Sequence, residues 1–483
     1  MTALRDLLLV YTVATFAYFV ILNGLYLFLT ALAWRGMGSD VRARRYLALD
    51  EVLRSPLTPG VSVLVPAFNE QAVIVESVRA LLALHYPRHE VVVVNDGSGD
   101  ATMAVLRQAF DLAPVRVALR DGIPTATVHG TYVSRTHPDL LVVDKANGGR
   151  SDALNVGVNA ARHPYVCVID ADSLLEPDAL LKVSKPILDD PDVLAATGGT
   201  IRIANGCRVD HGRVVDVRLP KSRLATVQVL EYLRAFLVAR VGWSRLNALG
   251  IISGAFGLFH RSLVEAVGGY WTETVGEDFE LTLRLHRYLR DRGEPYRIAF
   301  ISDPVCWTEV PEQLGTLSRQ RRRWQRGLWE GIRRHTRMLV NPRYGTVGLI
   351  AMPYFLVFEF LSPVFALGGM LVTIVWWFLG GLSTIYFLSF LLASIGLGVA
   401  LTTSALALEE FSYHRYQRRS EILRLLLYAV LENIGYHQLH DFWRTMGYVD
   451  IARGKTGWGA QQRRGFEPQG EGLPPAAHER TPT

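Results

Sequence analysis

The segment from Leu7 to Trp34 contains no charged residue, and this feature constrains the possible structures of the chain most strongly. As a helix it would be about 40 Å long, more than the thickness of one bilayer core. A cleaved signal peptide is the alternative, but the apolar run is too long for one and lacks a small-residue cleavage site. The sequence therefore predicts a permanent, tilted transmembrane helix within residues 1–36.

Basic residues on the two sides of this segment predict its orientation. Positive residues stay on the cytoplasmic side of a membrane segment. We therefore expect residues 37–60 to form a basic juxtamembrane linker that leads into a cytoplasmic domain. A lone arginine precedes the segment and several follow it, namely Arg5 before it and Arg35, Arg42, Arg44 and Arg45 after it.

The composition and two failed motifs exclude several classes of protein. The net charge of +6 is modest, and the arginines lie beside apolar segments, which favours a membrane surface over nucleic acid. Three cysteines, Cys167, Cys207 and Cys306, are too scattered for a disulfide framework or a zinc site. Thr102 replaces the third glycine of a dinucleotide-binding loop, and Val449 replaces the first glycine of a phosphate loop. Neither a dehydrogenase nor an ATPase is therefore supported.

From residue 61 onward the pattern changes to alternating strands and helices. Short apolar runs predict the strands, and apolar residues three and four apart predict the helices. Such an alternation is typical of a doubly wound α/β sheet. We predict strands at residues 61–66, 90–95, 115–119 and 140–143 and in the run that begins at 165, with helices at 70–84, after residue 100 and at 150–162.

Two carboxylates end the apolar run that begins at Tyr165. Asp170 and Asp172 are one residue apart, and Glu176-Pro177-Asp178 behind them suits the first turn of a helix. Ligands of open α/β sheets bind outside the carboxyl ends of the strands. Carboxylates at that place suit Mg²⁺ or Mn²⁺, and hence a phosphorylated substrate, although an Asp there can also be a plain helix cap.

The C-terminal half combines charged helices with apolar segments. A long run with the single charge Glu359 breaks at Gly380-Gly381, which predicts two transmembrane helices within residues 344–410. A later apolar segment is short and carries charges, so we favour an interfacial or re-entrant helix at 421–447 over another crossing. We further predict an interfacial helix at 225–246, a glycine-rich close approach at 251–260, a helix from 276 to about 290, an arginine-rich helix at 313–337 and a cytoplasmic basic, disordered tail at 448–483.

Six motifs occur in one frame, and together they resemble the processive family 2 glycosyltransferases of membranes. That family includes the poly-N-acetylglucosamine, chitin-oligosaccharide, hyaluronan and cellulose synthases. The resemblance is strong from about residue 61 to residue 327. The motifs are Val65-Pro66-Ala67-Phe68-Asn69-Glu70, Asn95-Asp96-Gly97-Ser98, Lys145-Ala146-Asn147-Gly148-Gly149-Arg150-Ser151-Asp152-Ala153-Leu154-Asn155, Asp170-Ala171-Asp172, Gly276-Glu277-Asp278 and Gln320-Arg321-Arg322-Arg323-Trp324, and Trp458-Gly459 resembles the family's tail element.

The resemblance implies a role for each matching residue. It also implies a GT-A-like nucleotide-sugar-binding domain at 61–343, inserted between transmembrane helices, with Mg²⁺ or Mn²⁺ as cofactor. The implied residues are Glu70, Asp96, Lys145, Asp152 and Asp170 for the donor, Asp170 and Asp172 for the metal, Asp278 as catalytic base, and Gln320, Arg323 and Trp324 for the acceptor and diphosphate.

Ordinary structural roles stay open for some of these residues. Asp278 could be a first-turn helix acid, Glu70 a helix cap and Trp324 an interface anchor. We expect Arg321 and Arg322 to form a lipid-facing basic stripe. Two positions also depart from the family, namely Gly276 where many members have Thr, and Arg150 where Lys is common.

These features predict an inverting, metal-dependent enzyme of the cell membrane that polymerises a β-linked sugar and passes the chain outward. The donor would be a UDP-sugar, with UDP-N-acetylglucosamine as first choice by resemblance. The partners would be a growing glycan or lipid acceptor and the bilayer. One alternative is a single-transfer enzyme that acts on a polyprenyl phosphate or lipid. Another is a catalytically inactive membrane scaffold or export subunit.

Overall fold

A mixed ten-stranded sheet lies at the centre of the computed structural model. The structure describes residues 2–44, 55, 58–381, 383–455 and 457. For residues 2–5, 39–44, 386 and 389–394 it describes the backbone only. The strands are β1 (Val61–Ala67), β2 (His89–Asp96), β3 (Leu112–Val115), β4 (Val128–Ser134), β5 (Leu140–Lys145), β6 (Tyr165–Ile169), β7 (Leu174–Leu175), β8 (Leu194–Ile203), β9 (Arg208–Asp210), β10 (Arg213–Asp216), β11 (Phe256–His260) and β12 (Arg297–Thr308). Within the sheet they follow the order β3-β4-β5-β2-β1-β6-β11-β8-β12-β7, and β9 pairs with β10 in a separate hairpin.

The four central strands β5, β2, β1 and β6 are parallel. Their residues are nearly all buried, as expected for strands covered on both faces. Parallel pairing brings their carboxyl ends to one edge of the sheet. Asn95 lies opposite Ala67, and Lys145 lies opposite Asp96. The predicted α/β sheet is therefore confirmed, and its candidate site residues lie at this edge.

Helices cover the sheet and continue into the apolar segments. Gly157 lets one of them approach closely, because a Cβ there would lie 3.2 Å from the side chain of Leu64 on β1. The helices are α1 (Thr2–Arg44), α2 (Ile74–Leu82), α3 (Thr102–Phe110), α4 (Arg150–Ala160), α5 (Ala179–Asp189), α6 (Arg223–Leu233), α7 (Val241–Arg245), α8 (Arg261–Ala266), α9 (Glu277–Arg292), α10 (Leu314–Arg334), α11 (Met352–Tyr354), α12 (Ser362–Phe378), α13 (Thr384–Ser412), α14 (Arg419–Leu431) and α15 (His437–Ala452).

The predicted strand at residues 115–119 is wrong. The strand β3 ends at Val115, and the next strand is β4, which the sequence analysis did not predict. Val117 and Leu119 are partly buried against the core. The alternation of apolar and polar residues here therefore reflects the burial of these side chains, and the segment does not pair as a strand. The strand β4 was missed because its sequence, Val-His-Gly-Thr-Tyr-Val-Ser, mixes polar residues and glycine.

One helix of the described residues, Asp6–Gly38, is long and apolar enough to cross a membrane. A second such element exists if Val347–Phe360 and Ser362–Phe378, which meet at an angle of 45°, form one span. The bend follows the π-helical turns Val347–Ala351 and Phe355–Phe360 and precedes Pro363. The predicted break at Gly380-Gly381 separates α12 from α13.

The predicted interfacial helix at 225–246 is a continuous run of α6, a π-helical segment (Arg234–Arg240) and α7. It packs directly against α1. Gly242 lies against Leu29, and Arg245 donates a hydrogen bond of 3.1 Å to the carbonyl oxygen of Gly36. The N-terminal helix is thus in direct contact with the domain that carries the sheet.

The predicted helix at 421–447 is two helices, α14 and α15, divided by the non-helical residues Ile434 and Gly435. Exposed Leu423, Leu427 and Leu431 form an apolar stripe along α14, which suits an interface. The predicted boundary at 447 is too early, because α15 continues to Ala452. Residues 458–483, including the tail element at Trp458-Gly459, lie outside the described residues, as do residues 45–54 of the predicted linker.

Candidate active site

The carboxylate of Asp96, at the end of β2, organises the loop that follows β5. Its two oxygens accept hydrogen bonds from the backbone nitrogens of Gly148 at 2.9 Å and Gly149 at 2.8 Å. The side chain of Asn147 donates to the Asp96 carbonyl oxygen at 2.8 Å. Asp96 therefore holds the first glycines of the motif at the carboxyl edge of the sheet.

Lys145 is fully buried and joins two of the predicted donor-binding carboxylates. Its ammonium group forms an ion pair with Asp96 and another with Asp152 at 2.7 Å, and it donates to the carbonyl oxygen of Ala146 at 2.6 Å. Asp152 also accepts a hydrogen bond from the backbone nitrogen of Ala126 at 3.1 Å. Lys145 has no exposed surface, so it supports this part of the candidate site from within the protein.

Hydrogen bonds connect the loop after β1 to the loop after β2. Asn69 adopts a left-handed conformation with a φ of 58°, and its side chain accepts from the backbone nitrogen of Gly99 at 2.9 Å. The backbone nitrogen of Glu70 donates to Thr102 at 2.9 Å, and the Glu70 side chain is buried. Because residues 68–73 form this loop, the helix predicted to start at Glu70 starts at Ile74.

Phe68 is a candidate site residue that the sequence analysis did not single out. Its ring is 51% exposed at the carboxyl end of β1, beside the loop that Asn69 fastens. An exposed aromatic ring at the ligand-binding edge of a sheet can stack on a nucleobase. The available signal was its position between a buried strand and Asn69 in the first motif.

Arg150 joins the two acidic motifs. Its Nε and Nη2 donate to one oxygen of Asp170 at 3.0 and 2.8 Å, and Nη2 also donates to the carbonyl oxygen of Gly254 at 2.7 Å. Its Nη1 pairs with Glu277. Burial lowers the pKa of Arg150, but the carboxylates of Asp170 and Glu277 outweigh burial, so the net pKa is raised. The arginine therefore stays charged between the motifs.

Asp172 carries a raised pKa, at about 7. Burial is the main cause, and the negative charges of Asp170 and Glu309 add to it, while Arg150 opposes them. A cation bound there would relieve this repulsion, so the donor set fits a hard divalent ion. Among the described residues no three His, Cys, Asp or Glu side chains converge on a metal position. Two carboxylates suffice for Mg²⁺ when substrate phosphates and water supply the other ligands.

Asp278, the predicted base, lies in the first turn of α9 and is half-buried. One carboxylate oxygen accepts from the backbone nitrogen of Phe279 at 2.8 Å, and the other accepts from that of Gly254 at 3.2 Å. The neighbouring Glu277 is buried, and its pKa is raised by burial and by Asp278, against the charge of Arg150. Asp278 is thus fixed in orientation beside Arg150 and Asp170.

Helix α10 packs against the loop before Asp278 through two glycines. A Cβ on Gly276 would lie 2.8 Å from the Cα of Gly327, so neither position has room for a side chain. Glu330 on the same helix accepts hydrogen bonds from the Thr274 hydroxyl at 2.8 Å and the Val275 backbone nitrogen at 3.0 Å. Gly276 is therefore required by this contact, which explains the departure from Thr.

The predicted acceptor residues lie on α10 within the two turns before Gly327. Gln320 and Arg323 are half-buried. Burial lowers the pKa of Arg323, while the charges of Glu277 and Asp278 act in the opposite direction, which places its guanidinium near both acids. Trp324 is 41% exposed, and the guanidinium of Arg321 lies 4.3 Å from its ring centroid. One indole face is thus supported while the side chain stays accessible.

The predicted lipid-facing stripe of Arg321 and Arg322 is wrong. Arg321 is buried and forms an ion pair with Glu231 at 2.8 Å. Arg322 pairs with Asp450 on α15 at 2.6 Å. The charge pattern gave no sign of these partners, because they lie far away in the sequence.

The structure thus brings the predicted residues together in two connected groups. Arg150 at the end of the glycine loop links them. One group is the buried network of Asp96, Lys145 and Asp152, and the other is Asp170, Asp172, Asp278 and Arg323, with Glu70 at the neighbouring loop and Gln320 and Trp324 on α10.

Comparison with known proteins identifies related chains. The profile of the Glycosyltransferase like family 2 matches residues 59–327. The poly-beta-1,6-N-acetyl-D-glucosamine synthase of Staphylococcus epidermidis is 28% identical over 269 residues, which cover 56% of this chain and 54% of that protein. The same-named protein of Staphylococcus aureus (strain COL) is 30% identical over 302 residues, covering 62% of this chain and 60% of that protein. The chain therefore spans between half and two thirds of the length of these curated relatives.

Among solved structures, the mannosyltransferase PcManGT from Pyrobaculum calidifontis, in complex with GDP-Man and Mn²⁺, superposes with a TM-score of 0.47 at 22% identity. The superposition covers 84% of this chain and 99% of that chain.

Replacing Lys145 with methionine should destabilise the protein strongly. The variant would leave Asp96 and Asp152 buried without their counter-charge, which typically costs about 3–5 kcal/mol of unfolding free energy. Chemical denaturation of the purified protein in detergent measures the change. The control is Arg79→Met, which breaks an exposed pair with Glu76 and should cost less than about 1 kcal/mol. A Lys145→Met protein with parental stability and lost donor affinity would instead place Lys145 in contact with the donor.

Proposed function

This chain belongs to the Glycosyltransferase like family 2, and we propose that it is a membrane-embedded inverting enzyme that polymerises a β-linked polysaccharide from a UDP-sugar. The observation that carries the proposal is the bridge from Arg150 to Asp170 and Glu277, because it joins one predicted metal-binding acid to the neighbour of the predicted base Asp278. UDP-N-acetylglucosamine is our first choice of donor. The names of the curated relatives support that choice.

The donor would bind at the carboxyl edge of β1, β2 and β5. Phe68 offers an exposed ring for the base, and the glycine loop held by Asp96 offers close backbone approach. Asp172 and Asp170 would hold Mg²⁺ or Mn²⁺. That ion, when bound, neutralises the charge of the departing diphosphate. The raised pKa of Asp172 supports this assignment, because the negative charges of Asp170 and Glu309 contribute to it and a bound cation would oppose them.

The acceptor would bind between α10 and the first turn of α9. Asp278 would take the proton of the attacking hydroxyl, and the hydrogen bonds from Phe279 and Gly254 hold its carboxylate in place for that step. Arg323 would meet the diphosphate, and Trp324 would stack on the terminal sugar. Alignment of the two substrates in this way can contribute several kcal/mol to catalysis.

We also propose that the enzyme is a multi-pass protein of the cell membrane with a cytoplasmic catalytic domain. The apolar helix Asp6–Gly38 and the bent pair Val347–Phe360 and Ser362–Phe378 support this placement. Polymer export would follow, because the catalytic domain packs directly on these helices. Incubation of membranes with a panel of radiolabelled UDP-sugars, followed by sizing of the products, tests donor and polymerisation together. A single added sugar on a lipid would overturn the polymerase assignment.

Replacing Asp172 with asparagine should abolish transfer and leave the fold intact. The cation would lose a charged ligand beside the diphosphate, and we expect the rate to fall at least about 100-fold. Donor turnover with increasing Mn²⁺ measures the effect. The control is Asp178→Asn, which changes an acid directly before α5 that pairs with Lys182 instead. Near-parental turnover of Asp172→Asn in saturating Mn²⁺ would contradict the assignment.

Replacing Asp278 with asparagine should separate donor binding from transfer. The amide keeps the shape of the side chain but cannot accept a proton, so we expect the transfer rate to fall about 10²–10⁴-fold with UDP affinity unchanged. Calorimetric binding of UDP and a transfer assay measure the two quantities. Asp291→Asn, at the far end of α9, is the matched control. Elongation by Asp278→Asn at the parental rate would make Asp278 a structural residue.

Replacing Trp324 with alanine should shift the products from polymer toward free sugar. Loss of a stacking contact of about 1–3 kcal/mol would slow elongation roughly tenfold to a hundredfold, while hydrolysis needs no positioned acceptor. The ratio of polymer to hydrolysed sugar measures this change. The control is Trp329→Ala on the same helix, because Trp329 stacks on Phe360 and should affect both activities equally. Equal loss of both activities in a well-folded Trp324→Ala protein would make Trp324 an interface anchor.

A further inference from the structure

Val340 has an unusual backbone conformation in the turn that leads from α10 into the first C-terminal membrane segment. Its φ is 54°, in the left-handed region, although its side chain is β-branched. The side chain is 66% exposed, so it packs little against the protein. An unfavourable conformation that gains no internal packing points to a role for the exposed side chain outside the folded chain.

The turn around Val340 is fixed on both sides. The backbone nitrogen of Val340 donates to the carbonyl oxygen of Gly348 at 3.0 Å, and the Asn341 side chain accepts from the Arg343 backbone nitrogen at 3.0 Å. Met338 and Tyr344 are fully buried on either side. Val340 is therefore held in this conformation and projects from a rigid support.

The surroundings of Val340 combine apolar and basic surface. Leu349 and Ile350, at the start of the membrane segment Val347–Phe360, are 46% and 44% exposed, and the hydrogen bond to Gly348 places Val340 beside them. Four exposed arginines flank this apolar patch in the sequence, namely Arg333, Arg334, Arg337 and Arg343. Arg334 pairs with Glu280 at 3.1 Å and Arg343 with Asp291 at 3.1 Å. Arg333 and Arg337 have no ion pair within the described part of the chain.

We propose that Val340, Leu349 and Ile350 form a wedge that inserts into the cytoplasmic leaflet, with Arg333 and Arg337 binding the phosphates of anionic phospholipids. The inference rests on the proposed membrane placement of Val347–Phe360. A lipid surface matches both properties of the patch, because apolar side chains enter the boundary between headgroups and acyl chains while basic groups attract anionic headgroups. The patch is also continuous with a segment that enters the bilayer. The wedge would fix the C-terminal end of α10, and through it the acceptor residues, relative to the membrane.

Depth-dependent quenching tests the insertion directly. The full chain, with Cys207 replaced by serine because it is the only free cysteine of the described residues that is not buried, carries a bimane label at Val340→Cys. It is placed in nanodiscs of phosphatidylcholine with about 30% phosphatidylglycerol and with spin-labelled lipids. We expect quenching at position 340 at least three times that of the control Val215→Cys, a similarly exposed valine on β10. Equal quenching at the two positions would overturn the proposal.

Two variants test the lipid chemistry. Val340→Asn suits the left-handed backbone and removes the apolar side chain, so its unfolding temperature in detergent should equal or exceed that of the parent. The extra stability that the parent gains in anionic over neutral nanodiscs should fall at least twofold in this variant and in Arg333→Gln/Arg337→Gln. If soluble glycerol phosphate stabilised the parent as much as anionic nanodiscs do, the membrane wedge would be overturned. A parental dimer that dissociates in Val340→Asn would overturn it as well. None of these residues lies in the cleft, so turnover in detergent tests the proposed function separately.

Discussion

The arrangement of the candidate site depends on the guanidinium of Arg150. It reaches Asp170 at the end of β6, Glu277 at the start of α9 and the carbonyl oxygen of Gly254 before β11, three segments that are distant in the sequence. A guanidinium can satisfy these acceptors together, because its donors point in fixed directions in one plane. A lysine ammonium in the same place would concentrate its charge at one point. The departure from Lys at this position is therefore consistent with a cleft held together by one side chain.

Helix α10 contacts two different parts of the molecule. One side approaches the loop before Asp278 so closely that Gly276 and Gly327 touch through their backbones, while Glu330 binds that loop. On other faces, Arg321 pairs with Glu231 and Arg322 with Asp450. A shift of α10 would therefore disturb the predicted base, the predicted acceptor residues and the helices around Glu231 and Asp450 at once. In the function that we propose, this helix relates the position of the acceptor to the position of the predicted base Asp278.

The sequence predicted the central sheet and the acidic motifs well, because their signals are local. A run of buried valines followed by an acid marks the end of a parallel strand, as at Asp96 and Asp170. The partners of the buried charges could not be predicted from the sequence. Arg321 was assigned to lipid because its nearest neighbours in the chain are arginines, while its true partner is Glu231. The strand β4 was missed for a similar reason, since its polar sequence forms a strand through pairing with β5.

Buried ion pairs connect the sheet domain with the apolar helices, and they limit how the two can move relative to each other. Arg202 on β8 pairs with Glu409 on α13 at 2.5 Å, and Arg234 pairs with Glu432, which also accepts a hydrogen bond of 2.8 Å from Thr402. Both acids are fully buried, and separating such a pair leaves an uncompensated charge at a cost of about 3–5 kcal/mol. Rotation of the whole domain against the helices would break both pairs in every cycle. Smaller movements, such as those of side chains or single turns near α10, would leave them intact. We therefore expect the sheet domain to stay fixed on the apolar helices while the proposed polymerisation proceeds.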